Sequence, residues 1–144
     1  MAEPAPYVIF RLGRQGFALP LAEVKDVVKA PPITPVPQAE AMVRGLTVLH
    51  DQLAAAMDLR ARFGLPASLQ PVASTALMVE HEGERVALLV DKLEDVVTLG
   101  EIKPLSPSRD PLWRGVIAGM VTRNDEALVV LDVAGILDGA VAQA

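Results

Sequence analysis

The side chains with the most chemical potential in this chain are two histidines, His50 and His81, and a scatter of aspartates. There is no third histidine and no cysteine to complete a zinc site. His81 precedes Glu82-Gly83-Glu84, a hairpin-turn composition that predicts a solvated histidine. His50-Asp51 could serve a nucleophilic serine, yet Ser68, Ser74, Ser106 and Ser108 all fall in connecting loops and none stands at a strand–turn–helix elbow. Gly13-Arg14-Gln15-Gly16 has no helix after it, so it reads as a hairpin turn and not as a phosphate cradle. Asp26, Asp58, Asp91, Asp95 and Asp132 read as caps and strand-edge charges. The expectation is a binding module with no catalytic residue, no metal and no cofactor.

The elements that position these residues are short. Val43 to Leu49 is apolar and β-branched enough for a strand, His50-Asp51 makes a turn, and Leu53 to Met57 returns. Asp58 offers its carboxylate as the N-cap of a short helix in which Leu59 and Phe63 share one face, while Arg60 and Arg62 are expected to project to solvent. Gly64 and Pro66 stop that helix. Before it, Tyr7–Leu12 and Phe17–Leu21 form a hairpin, and Val24–Val28 a third strand leading into the prolines of Pro31 to Pro37. After it, strands are expected at Thr75–Glu80, Arg85–Val90, Leu93–Leu99, Val116–Val121 and Ala127–Leu131, followed by a helix capped by Asp132 and running through Leu137.

The two series repeat. At an offset of 69, Ala18, Leu19, Asp26, Val27, Val28, Ile33 and Pro35 meet Ala87, Leu88, Asp95, Val96, Val97, Ile102 and Pro104, seven identities in 18 aligned positions. Arg44-Gly45 aligns with Arg114-Gly115, and the Asp58 cap with Asp132. Such self-similarity marks a duplicated unit. Each unit holds about five strands with Gly and Pro turns, which implies an all-β chain of two small five-stranded barrels related by a pseudo-twofold. The expected division is a tail over 1–6, a first barrel over about 7–66, a second over about 72–137, and a frayed end over 138–144. Val86 to Val90, apolar on both faces, is expected inside one barrel and against the other, within one continuous core. A groove between the barrels is the expected binding site. Trp113 reads as a cover over one barrel mouth or as an interface anchor.

Composition narrows the partners. Hydrophobic residues make 51% of the 144 and aromatics 3%, so Val, Leu, Ile and Ala must fill the core. The net charge of −5 with no basic run argues against nucleic acid. The N-terminus lacks a basic start and apolar run, and no stretch approaches the roughly 20 apolar residues of a membrane span, so a soluble intracellular protein without membrane insertion is expected.

In order and spacing, Tyr7-Val8-Ile9-Phe10-Arg11-Leu12, Phe17-Ala18-Leu19-Pro20, Val24-Lys25-Asp26-Val27, Ile33-Thr34-Pro35-Val36-Pro37, Val43-Arg44-Gly45 and Asp58-Leu59-Arg60-Ala61-Arg62-Phe63-Gly64 resemble the CheW family. Val90-Asp91-Lys92-Leu93-Glu94-Asp95-Val96 and Leu131-Asp132-Val133 carry the likeness into the second half, so that it covers 7 to about 137. The resemblance implies SH3-like barrels and a non-enzymatic adaptor of bacterial chemosensory arrays. Its partners would be the cytoplasmic tip of methyl-accepting chemoreceptors and the regulatory domain of a CheA-type histidine kinase, on the cytoplasmic side of membrane-associated arrays. Carried over by position, the receptor groove would be Val24, Asp26, Val27, Val43, Gly45, Leu46 and His50.

The chain departs from the family chiefly in one turn, and Asp26 stands where the family has glutamate. Asn-Leu-Arg-Gly is usual where Val48-Leu49-His50-Asp51 stands, and proline is usual at Ala55. An arginine brings a permanent charge and a fork of donors, whereas His50 brings one or two donors and little charge at pH 7. A divergent array component that does not activate the kinase is the alternative expectation. An excised kinase domain is disfavoured because the chain starts and stops around one module.

Overall fold

The computed structural model describes residues 4–29, 31–36, 42–49, 51–66, 75–105 and 113–142. Ten strands and two helices follow in order: β1 Ala5–Leu12, β2 Gln15–Pro20, β3 Val24–Lys29, β4 Val43–Leu49, β5 Gln52–Asp58, α1 Leu59–Arg62, β6 Thr75–His81, β7 Glu84–Val90, β8 Lys92–Leu99, β9 Ile117–Arg123, β10 Glu126–Leu131 and α2 Val133–Ala142. A 3-10 turn, Leu21–Glu23, joins β2 to β3. The all-β expectation and the ten-strand inventory are met. At the ends, β1 already includes Ala5 and Pro6, and α2 reaches Ala142 through part of the segment expected to fray.

Strand order corrects the expected division of the chain. One sheet runs β8-β1-β2-β10-β9 and the other β3-β6-β7-β5-β4. The barrels are therefore not 7–66 and 72–137. One is the continuous segment β3 to β7, and the other joins the N-terminal hairpin to β8, β9 and β10. Each hairpin has crossed to the opposite repeat, and replacing every strand by its repeat counterpart turns one order into the other. The pseudo-twofold is thus exact at the level of topology. Two parallel pairings hold the exchange together: Phe17 and Ala18 of β2 with Val129 and Val130 of β10, and Ala55 to Asp58 of β5 with Val86 to Leu89 of β7.

Among the described residues, the edges of each five-stranded sheet meet at one isolated bridge. Thr34, beyond β3, exchanges two hydrogen bonds with Leu46 of β4 at 2.8 and 2.9 Å, and Lys103, beyond β8, does the same with Met120 of β9, both at 2.9 Å. The chain comes close there because a glycine precedes each β partner. A Cβ on Gly45 would lie 2.2 Å from the Thr34 carbonyl oxygen, and one on Gly119 2.6 Å from that of Lys103. The counterpart of Gly45 is therefore Gly119 and not Gly115, which instead lies in the turn before β9. The offset grows from 69 to 74 between the two strands, as the Asp58–Asp132 pair already required.

Alternation along the strands sorts the apolar residues into three cores. Val8, Phe10, Phe17 and Leu19 of one sheet and Leu77, Val79, Val86 and Leu88 of the other belong to one central cluster between the barrels. Ile9, Ala18, Leu128 and Val130 fill one barrel, and Ala54, Ala56, Met78 and Ala87 fill the other. So the expected single core is a shared core plus two private ones. Val86 to Val90 behaves as its composition predicts, sending Val86, Leu88 and Val90 to the central core and Ala87 and Leu89 inward. Fully burying a side chain of this size is favourable by roughly 1.5–3 kcal/mol, so the shared core is the main reason the barrels stay together.

Candidate functional site

Cross-strand register gives the expected groove residues a definite place. Val24, Val79, Val86, Ala55 and Leu46 lie side by side across β3, β6, β7, β5 and β4, and the bridge adds Thr34. The next row on the same face is Val27, Leu77, Leu88, Met57 and Val43. Apart from the half-buried Ala55, the middle of both rows is buried in the shared core, while the ends emerge. Val24, Val43 and Leu46 are half-buried and Val27 is 36% exposed. The expected residues therefore form two lips, Val24/Val27 and Val43/Leu46, separated along the sheet by three covered strands. They do not form one patch within the sheet.

Asp26 and Gly45 sit on the other face, in the row Asp26, Met78, Ala87, Ala56, Gly45 that points into the barrel. Asp26 is half-buried beside a β-bulge, and its carboxylate accepts from the Val27 amide at 2.8 Å. Gly45 is buried, and its part is to let the Thr34 backbone approach. His50 lies outside the described residues. Its neighbour Asp51 is exposed with φ of 62°, as a two-residue hairpin loop demands. Val48, 56% exposed, and Leu53, 61% exposed, stand directly opposite one another on that hairpin. Ala55 is half-buried beside Val86.

One exposed apolar residue was missed although the repeat pointed to it. Val96, the counterpart of Val27, is 48% exposed on β8, so the second barrel carries an apolar lip in the equivalent place. The offset-69 alignment already paired the two valines.

Several charged groups depart from expectation. Arg62 does not reach solvent. It is fully buried, and its Nε donates to the Ile136 carbonyl of α2 at 3.0 Å. Burial lowers its pKa, while leaving a guanidinium charged at neutral pH. Arg60 is half-buried and grips both oxygens of Asp91, one from Nε at 2.8 Å, and Asp91 also accepts from the Gly13 amide at 2.6 Å. Asp91 is thus an inter-element clasp. The Arg60 hydrogen bond, and then the Gly13 amide, hold its carboxyl below the ordinary value. Arg11 pairs with Glu94 at 3.0 Å and with Glu126, and these two carboxylates raise its pKa further.

Asp58 and Asp132 are caps as expected, accepting from the amides of Arg60 at 2.9 Å and Ala134 at 3.0 Å. His81 is half-buried rather than solvated, with Nε2 3.2 Å from Asp138 of α2. His81, Glu82 and Asp138 bring ligand atoms within 4.8 Å, but a lone histidine with two exposed carboxylates is short of the nitrogen and sulfur ligands zinc prefers. Trp113 stacks on Phe63 at 4.5 Å and on Phe17 at 6.5 Å, so it covers the shared core. A shallow cleft of about 250 Å³ lies elsewhere, lined by Tyr7, Pro20, Ile102, Ala118 and Asp132 among others, and none of the expected groove residues lines it. Among the described residues no helix is long and apolar enough to cross a membrane.

Comparison with known proteins agrees with this architecture. The chain is similar to the chemotaxis protein CheW of Rhizobium meliloti, with 29% identity over 103 residues that cover 72% of this chain and 66% of that one. It is 30% identical over 113 residues to the protein PilI of Pseudomonas aeruginosa, covering 74% of this chain and 64% of that one. The chain thus spans slightly under two thirds of the length of both relatives. Its fold superposes on the crystal structure of the scaffolding protein TtCheW from Thermoanaerobacter tengcongensis with a TM-score of 0.81, 25% identity and 90% coverage of each chain. The family model of the CheW-like domain matches residues 6–141, and with an intertwined pair of five-stranded barrels over that same span, the chain belongs to the CheW-like family.

Proposed function

We infer that the chain is a non-enzymatic adaptor of bacterial chemosensory signalling, coupling the cytoplasmic tips of chemoreceptors to the regulatory domain of a CheA-type histidine kinase. It acts in the cytoplasm, recruited to membrane-associated arrays. The observation that carries this reading is the pair of apolar lips at the seam, Val24/Val27 and Val43/Leu46, with Val96 repeating the feature on the other barrel. A helical hairpin needs apolar surface to bury its i, i+3, i+4 face, and the exposed ends of these two rows support that reading. Specificity then falls to Asp26, next to Val27 in the chain, and to the residues at 50–51, His50 among them, where this chain leaves its family's pattern.

The deciding experiment is a pull-down with the cognate receptor tip and kinase, in which binding to neither overturns the reading. Incorporation into rings without any rise in kinase phosphorylation points instead to a structural or inhibitory array component. A hydrogen bond to a charged group contributes about 1.5–3 kcal/mol, so His50→Arg is expected to tighten binding to ordinary receptor tips by roughly 10- to 100-fold in titration calorimetry. Unchanged affinity removes His50 from the contact.

A further inference from the structure

The repeat permits a comparison of equivalent sites that differ in charge. Arg44 occupies the bulge of β4, where register slips between Val43 and Gly45, and donates to Asp58 Oδ2 at 3.2 Å. Its counterpart at the bulge of β9 is Ala118. Asp132, the counterpart of Asp58, keeps the capping bonds of its Oδ1 to the Ala134 and Gly135 amides, and no cation among the described residues meets its carboxylate. Two further cations vanish in the same comparison: Arg60 becomes Ala134, and Lys92 becomes Glu23. Ala118, Ala134, Asp132 and Glu23 all line the cleft of about 250 Å³, whose apolar wall comes from Tyr7, Ile102 and Val130. Where one half holds its own guanidinium against an aspartate, the other half holds open space beside two carboxylates, with His81, engaged by Asp138 at 3.2 Å, also on the lining.

We propose that this cleft is a docking site for a cationic side chain, an arginine presented by a partner protein. Its guanidinium sits beside Asp132 as that of Arg44 sits beside Asp58, and its methylenes lie along Tyr7 and Ile102. The occupant is specified by the chain itself, because the equivalent position is filled by arginine. Arginine stems pack on apolar surface while the head pairs with carboxylates, which matches an apolar wall with an acidic rim. The site is separate from the two lips and does not depend on how they are used.

The test titrates the full ¹⁵N-labelled chain with N-acetyl-arginine amide and, in parallel, with the neutral isostere N-acetyl-citrulline amide, reading amide shifts. The expected result is saturable shifts at Gly119 and at Asp132 to Gly135, with the citrulline probe weaker by about five-fold or more. Asp132→Asn, which preserves the cap, is expected to weaken the arginine probe by about three-fold or more. Ala118→Arg fills the cleft from within, so it is expected to abolish the shifts and to raise Tm in a manner that Asp132→Asn cancels. Equal shifts from both probes, shifts dispersed over the acidic surface, or undiminished binding in Ala118→Arg each overturn the proposal.

Discussion

The β4–β5–α1 and β9–β10–α2 segments share a backbone plan and differ in what fills it. Both open on a bulge, bring a glycine against the chain of their own barrel, turn in two residues and end on an aspartate cap. Yet Arg62 of the first corresponds to Ile136 of the second, and the two touch, the arginine donating to the backbone of its own counterpart. Val48 and Leu53 correspond to Thr122 and Ala127. Backbone-specified features survive duplication because they are conditions for closing a barrel. Side-chain features diverge because each half faces different neighbours.

Four sets of changes probe that contrast. The largest effect is expected at Arg62. Arg62→Ala leaves a void and a carbonyl without its donor, and should cost about 2–4 kcal/mol in urea unfolding. Arg62→Ile copies the second half and removes the buried charge, so it should recover at least half of that loss. Equal losses for both would show that the charge itself is required. Next come the closure glycines. Gly45→Ala puts a Cβ 2.2 Å from a carbonyl oxygen at a φ of 149° and should cost roughly 2–3 kcal/mol, while Gly119→Ala, at 2.6 Å and outside that backbone region, should cost less. A reversed order would mean that the β9 closure is the more rigid one.

Asp91→Asn removes the clasp between Arg60 and Asp91, whose repeat counterparts are Ala134 and Ala22, and should cost about 1 kcal/mol at pH 7, given partial exposure. The carboxyl has a folded pKa below its ordinary 3.8, so this contribution is fully present above that value and is lost as pH falls through the lower, folded one. Acid titrations should therefore separate the parent from the variant above pH 4 and bring them together below. The smallest stability effect belongs to the double change Val48→Thr with Leu53→Ala, which copies the second hairpin. Tm should move little, within about 0.5 kcal/mol of stability, and any larger loss of receptor or kinase binding would mark the pair as a contact.

Much of this was legible in the chain. The offset of 69 exposed the duplication, Asp58 and Asp132 announced their helices, and Val86 to Val90 declared two buried faces. The exchange of hairpins was not legible. Alternation tells which side of a strand is apolar but not which sheet it joins, and the decisive pairings, Phe17 with Val129 and Ala55 with Val86, link residues far apart in sequence. Arg62 was misjudged for a related reason: in a four-residue helix any side chain can be covered by a distant element, here α2. The glycine register slipped because the identical Arg-Gly dipeptide at 114–115 outweighed the five-residue growth of the offset. Of the groove, the two lips could be named from the family likeness, but their separation by three covered strands needed the register.

The crossed hairpins also set a timetable for the chain as it leaves the ribosome. The barrel from β3 to β7 is complete in sequence by Val90, whereas β1 must wait for β8, which ends at Leu99, and β2 for β10, which ends at Leu131. At about 5–20 residues per second that interval lasts a few seconds, during which Ile9 and Ala18 lack Leu128 and Val130, the β10 residues that complete their own barrel core. Pairing over such separations is also slow to nucleate. The N-terminal hairpin is therefore the segment most in need of protection during synthesis, and a chain cut short before β10 leaves β2 without its parallel partner.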